Sequence, residues 1–114
     1  MTDPREGYVT KDSGVREEYA SGMVRDTQAG KPNYYLIDRA FLKRWAALMT
    51  RGADKYGVDN WRHANSEKEL ERFKASALRH MMQWLDGDTE EDHAAAVAFN
   101  IAAACYVEDK LNAY

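Results

Sequence analysis

The sequence is poor in several residue types that would announce a function. Among 114 residues there are one cysteine, two prolines and three histidines. A single thiol, Cys105, permits neither an intrachain disulfide nor a cysteine-based zinc site. Its setting, Ala-Ala-Ala-Cys105-Tyr-Val, predicts a small buried residue. No apolar run approaches the roughly 20 residues of a membrane-spanning helix, and the acidic, glycine-containing N-terminus lacks a signal-peptide pattern. The expectation is a cytoplasmic protein with no membrane partner. Positive charge is not in excess: 16 lysines and arginines face 19 acids, a net charge of −3. That balance argues against dedicated nucleic-acid binding, which calls for a basic face. It leaves room for a local basic pocket around a phosphorylated small molecule. There is no Gly-x-Ser-x-Gly elbow, P-loop, dinucleotide fingerprint or His-Glu-x-x-His. A Cys–His nucleophilic pair is also disfavoured, because Cys105 falls about 120° round a helix from His93.

What remains is an ordinary balance of 45% hydrophobic and 31% charged residues, enough for one domain with a modest core. Residues 1–21 are polar, carry Pro4, Gly7 and Gly14, and read as a flexible arm with a short helical turn near Val15–Ala20. Residues 22–37 are too apolar for a linker, while Gly22, Gly30 and Pro32 deny them a long helix. They read as an extended arm on a single α-helical domain spanning 22–114. Arg25 and Lys31 either bring positive charge to a pocket or are two solvated surface cations.

Three long helices follow. Asp38 is placed to cap the first, and Ile37, Phe41, Trp45, Leu48, Met49, Gly52 and Tyr56 recur at helical spacing before Gly57 stops it. Gly52 lies on that stripe, so close approach of another backbone is expected there. Lys55 sits beside the stripe, where a cation also suits the helix dipole. In the connection to the second helix, Trp61 either plugs the end of the core or stacks on a ligand such as a nucleobase. Asn60 offers a donor and an acceptor for a base edge. Helix two begins with a capping box, Ser66 to Glu69. Its stripe of Leu70, Phe73, Ala77, Met81, Trp84 and Leu85 is widened by Leu78 and Met82, so it touches two partners. Helix three, capped by Asp88 or Thr89, runs from His93 to about Asn112 with Val97, Ile101, Ala104, Val107 and Leu111 on one side. The fold class is all-α. Three such helices in a short chain leave stripes uncovered, so a bundle completed by a second subunit is expected, in a homodimer or homotetramer.

Two histidines lie nearly equidistant from Gly87: His80 seven residues before it, His93 six after. A helix rises about 1.5 Å per residue, so an antiparallel hairpin turning at Gly87 brings both imidazoles to the same height. Arg79, beside His80, can reach a shared phosphate. On helix three, Glu90, His93, Val97 and Asn100 share a face. Asn100 is two turns from His93, about 10 Å, which suits an extended ligand such as a nucleotide with its phosphates. Glu90 and His93, at Glu-x-x-His spacing, are candidate ligands of one metal, although an acid in a first turn also complements the helix dipole. For each histidine a satisfied core imidazole is the plain alternative.

The run Met23-Val-Arg-Asp-Thr-Gln-Ala-Gly-Lys-Pro-Asn-Tyr-Tyr-Leu-Ile37, then Gly52-Ala-Asp-Lys-Tyr-Gly-Val-Asp-Asn-Trp61, then Ala77-Leu-Arg-His80 through Trp84 and Gly87, then His93 with Asn100, resembles the dATP/dGTP diphosphohydrolase N-terminal family. These are small phage- and bacteria-associated helical proteins grouped with MazG-type nucleotide pyrophosphohydrolases, and the resemblance spans roughly residues 22–109. It implies cleavage of a purine dNTP to dNMP and pyrophosphate with a divalent metal, Mg²⁺ or Mn²⁺. The matched polar positions are Arg25, Asp26, Lys31, Lys55, Asn60, Trp61, Arg79, His80, His93 and Asn100. On that resemblance His80, His93 and Arg79 are the catalytic set, the histidines binding metal or positioning water. Lys31, Lys55 and Arg79 hold the triphosphate, Trp61 and Asn60 take the purine, and Arg25 and Asn100 complete the substrate contacts. Near the histidines the available carboxylates are Asp88, Glu90, Glu91 and Asp92. Two other readings stay open: a non-catalytic phage protein that sequesters a nucleotide or nucleotide-derived signal, and a structural or regulatory helical dimer.

Overall fold

Each of the three helices starts where a side chain can satisfy backbone N–H groups that no helical carbonyl reaches. The computed structural model describes residues 6–112. The first five residues of the expected arm (1–21) and the last two of the expected helical domain (22–114) lie outside the described residues. Helix α1 (Arg39–Tyr56) is capped by Asp38, which accepts from the Ala40 N–H, and ends at Gly57 with φ +93°, a conformation glycine tolerates. Helix α2 (Glu67–Leu85) opens on the expected capping box. Ser66 Oγ accepts from the Glu69 N–H at 3.2 Å, and the Glu69 carboxylate accepts from the Asn65 N–H and the Ser66 hydroxyl. Those bonds hold the Glu69 carboxyl below its ordinary range.

Helix α3 (His93–Asn112) begins differently from expectation. Asp92, rather than Asp88 or Thr89, caps it, accepting from the Ala95 N–H at 3.1 Å. The cap moves because Asp88 is engaged elsewhere: its carboxylate accepts from the Glu90 N–H at 2.9 Å and lies 3.2 Å from His93 Nε2. Residues 88–91 are therefore a turn, and Glu90 precedes the helix instead of sharing a face with His93 and Asn100. Asp92 is also gripped by Arg44 of α1, Nε to Oδ2 at 2.9 Å and Nη2 to Oδ1 at 2.7 Å. This two-pronged bond lowers the Asp92 carboxyl to about 2.

Within the unit that begins at Tyr35, α3 is the central helix. It packs antiparallel to α2 along most of its length and against α1 over a shorter stretch. Ala94, Ala95, Ala96, Ala103 and Ala104 are all buried, and side chains this small let the helices approach closely. Ala64, Leu70, Ala104 and Val107 form a core cluster, flanked by Phe73 and Leu111. The all-α class holds, and two details of the stripes do not. Ile101 is half exposed and Cys105 is exposed. Both lie with Glu108 and Asn112 on the side of α3 turned from its partners, whereas Ala103, Ala104 and Val107 face inward. Helix α1 has no fully buried residue, and Leu78, Met82 and Leu85 on α2 are exposed.

The unit ending at Tyr34 is built on an antiparallel hairpin of β1 (Arg16–Glu18) and β2 (Val24–Asp26). The helical turn expected near 15–20 is a strand instead. Cross-strand pairing of Glu17 with Arg25, and the Glu17 carboxylate accepting from the Gln28 N–H at 2.8 Å, override the local preference. Asp26 gathers Ser13, Arg16 and Lys31. The expected boundary at residue 22 falls in the turn between the strands, where Gly22 has φ +91°.

Asp92 has two separable roles, and substitution resolves them. Asp92→Ala removes cap and ion pair together and lowers stability by about 1–2 kcal/mol in urea unfolding; Asp92→Asn keeps a cap and costs less. The folded-state carboxyl titrates below its unfolded value of 3.8, so its stabilisation is present above pH 4 and is lost as pH falls toward 2. The gap between wild type and Asp92→Asn closes over that window.

Candidate functional site

Helix α2, the turn at Gly87 and the N-terminus of α3 bring His80 and His93 together as the spacing predicts. Their Nδ1 atoms are 2.9 Å apart, and both rings are buried. At that separation one nitrogen donates and the other accepts, so at least one ring is neutral. Burial holds the His80 imidazole below its ordinary value, reinforced by the Arg79 charge and opposed by Glu91. His93 Nε2 is fully enclosed and, at 3.2 Å from Asp88 Oδ1, is at ion-pair distance without the alignment of a hydrogen bond. The Glu90 N–H, and then His93, keep the Asp88 carboxyl below its usual range, so it stays ionised. One donor atom each from His80, Glu91 and His93 lie within 4.8 Å of one another.

The histidines border an open cleft of about 1420 Å³. That exceeds the ~300–1,000 Å³ of most small-molecule pockets and leaves room for an extended ligand. One wall is α1, where Arg44, Leu48, Arg51 and Lys55, spaced four, three and four residues, point the same way. The other is α2, which contributes Arg72, Ser76, Arg79 and His80. The walls therefore face each other with basic residues on both sides. The acids are confined to the ends: Asp59 in the α1–α2 connection, and Asp88, Glu90, Glu91 and Asp92 before α3. The Lys55 ammonium lies over the Tyr56 ring, and Tyr56, then Glu91, raise its pKa.

Toward the other end the lining turns aromatic. Trp61, in a short 3-10 turn at Asn60–His63, packs edge-on against Phe99 and Tyr106, and Phe73 packs edge-on against Phe99. The Arg62 guanidinium lies 4.5 Å from the centre of the Trp61 ring. Trp61 is thus first a plug for the α3 surface, and it also lines the cleft. Asn100, buried two turns along α3 from His93, donates its amide to Ala96 O at 2.8 Å and lines the same cleft.

Of the residues singled out from sequence, His80, His93, Arg79, Lys55, Asn60, Trp61, Asn100 and Glu90 all border this cleft. Arg25, Asp26 and Lys31 belong to the first unit, where Lys31 lies 3.7 Å from Asp26. Sequence reading passed over Arg44, Arg51, Arg72 and Phe99, and placed Phe73 only on the apolar stripe of α2. The basic residues flanking the apolar stripe of α1 at seven- and eleven-residue intervals were the available signal. The backbone approach expected at Gly52 is absent: a Cβ placed there meets nothing within 4 Å, and the glycine widens the cleft.

A family model described as dATP/dGTP diphosphohydrolase, N-terminal, matches residues 21–113. No curated protein and no solved structure matches the chain.

Two substitutions separate packing from ligand space. Gly52→Ala raises stability by about 0.5–1 kcal/mol through helix propensity alone, measured by denaturant unfolding without ligand. Trp61→Ala removes the edge-on ring contacts and lowers stability by roughly 2–3 kcal/mol, less than a fully buried tryptophan because the ring is only partly covered.

Proposed function

The chain belongs to the dATP/dGTP diphosphohydrolase N-terminal family, and on that premise we propose that its cleft binds a purine deoxynucleoside triphosphate and hydrolyses it to dNMP and pyrophosphate. One observation supports this above the rest: a buried histidine pair between α2 and α3 borders a cleft whose facing walls, α1 and α2, carry arginine and lysine. The distance from His93 to Asn100, two helical turns, matches a ligand with phosphates at one end and a base at the other.

In this reading Lys55 and Arg79, joined by Arg51 and Arg72, hold the phosphates and offset the charge that grows on departing pyrophosphate. Water adds to the α-phosphorus, and the bond from that phosphorus to the bridging oxygen breaks. His80 and His93 either position that water and accept its proton or hold a divalent ion, in which case the proton leaves to solvent; the low basicity of His80 keeps a neutral imidazole available for either role at neutral pH. Trp61 and Asn60 take the base, with Asn100 at the floor. Arg25 and Lys31 enter only through the family resemblance. A divalent ion supplies charge neutralisation at the phosphoryl oxygens when bound. The donors for it at this end of the cleft are the His80 and His93 imidazoles and the Glu91 carboxylate, a mixed set that fits a divalent ion.

A second reading is favoured by one feature: α2 contributes no carboxylate to the cleft. A protein that holds a nucleotide without cleaving it needs the basic walls and not the acids. The partly covered α1 and the exposed Leu78, Met82 and Leu85 support the expected homodimer or homotetramer, with a second copy completing the bundle. A nucleotide substrate is in keeping with a cytoplasmic location.

Pyrophosphate release from dATP and dGTP, with Mg²⁺ and with Mn²⁺, decides between enzyme and binder. Turnover is expected, and Arg79→Met lowers kcat/KM by about 10- to 100-fold, the loss of one charge-assisted phosphate contact. Tight nucleotide binding without pyrophosphate leaves the binder; neither binding nor turnover rejects both.

A further inference from the structure

His80, His93 and Glu91 converge from two helices and the turn between them, and their arrangement specifies more than a generic divalent site. Asp88 at 3.2 Å from His93 Nε2 favours the tautomer with its proton on that nitrogen. The lone pair of His93 then lies on Nδ1, which points at His80 Nδ1, 2.9 Å away. A carboxylate behind a ligating imidazole is the usual way a protein orients such a ligand and raises its basicity.

The 2.9 Å between the two nitrogens is the length of the hydrogen bond they share, and an ion held by both takes the place of the shared proton, which leaves to solvent. Mg²⁺ prefers oxygen and keeps its waters, and two imidazoles suit it poorly. Two histidines and one carboxylate on one side of an ion, with positions left open, is a donor set for first-row transition ions. Glu90, adjacent in sequence, is not in this cluster, and its N–H is committed to Asp88.

We propose that His80 Nδ1, His93 Nδ1 and a Glu91 carboxylate oxygen form a three-ligand centre for a divalent first-row transition ion of the Mn²⁺ type, with Asp88 as the positioning residue of His93. The proposal deepens the nucleotide-hydrolase reading by naming the metal class and its ligands, and it stands or falls on metal binding without nucleotide. The three residues border the cleft, where phosphate oxygens of a bound ligand can reach an ion held by them.

Isothermal titration of the full chain with MnCl₂ and separately with MgCl₂, in the absence of nucleotide, tests it. The expected result is one Mn²⁺ per chain, bound at least 10-fold more tightly than Mg²⁺. Glu91→Gln, an exposed position whose change leaves the fold intact by circular dichroism, weakens Mn²⁺ binding at least 10-fold. Asp88→Asn weakens it by about 10- to 100-fold, and Glu90→Gln leaves it unchanged. Equal affinity for Mg²⁺, no Mn²⁺ binding, or Mn²⁺ binding indifferent to Glu91→Gln overturns the proposal. Mn²⁺ binding as described with no pyrophosphate release keeps the centre and rejects only the hydrolase.

Discussion

The contact between His80 and His93 is the constraint around which the helical unit is arranged. Two imidazole nitrogens 2.9 Å apart, both in buried rings, form a polar contact where burial makes an unpaired group costly. Keeping them opposed requires a turn of fixed length, a helix start that does not consume Asp88, and side chains small enough for α2 and α3 to pack closely. Gly87 at φ +79° provides the first, the Asp92 cap the second, and the alanines after His93 the third. Arg44 ties α1 to the same point by gripping Asp92, so α1 is fastened one residue from His93.

That fastening shapes the cleft. Helix α1 meets the others mainly through α3 and otherwise stands apart from α2, which leaves the space between the basic faces open. The same separation leaves α1 without a fully buried side chain. An anion entering between the walls would lie among basic residues from both helices, with the histidines at one end and aromatic rings at the other. The electrostatic attraction of such a site falls with added salt, and the buried histidine pair is shielded from it.

Much of this was legible in the sequence, and the reasons differ by element. Asp38, Gly57, Ser66 and Glu69 act locally, within one turn of chain, so helix boundaries could be read without knowing the fold. The level of His80 with His93 could be read because a rigid rise per residue and one turn glycine fix it. The start of α3 could not. Asp88, Thr89 and Asp92 are all competent caps, and the choice depends on Asp88 meeting His93 and on Arg44 arriving from 48 residues away. The same shift takes Glu90 off the face of His93, and Glu91 rather than Glu90 groups with the two histidines. Cys105 and Ile101 look buried in an alanine-rich helix, yet their exposure is set by which side of α3 its partners cover. The strand at Arg16–Glu18 escaped a local reading because its pairing partner lies beyond a turn.

The central claim is that the paired histidines mark the phosphate end of a nucleotide site. A crystal structure of the protein with Mn²⁺ and a non-hydrolysable dGTP or dATP analogue addresses it most directly. The account predicts anomalous density for manganese between His80, His93 and Glu91, phosphate oxygens on the same ion and beside Arg79 and Lys55, and the base toward Trp61 and Asn100. Manganese or phosphates elsewhere, with His80 and His93 still bonded to each other, would contradict it.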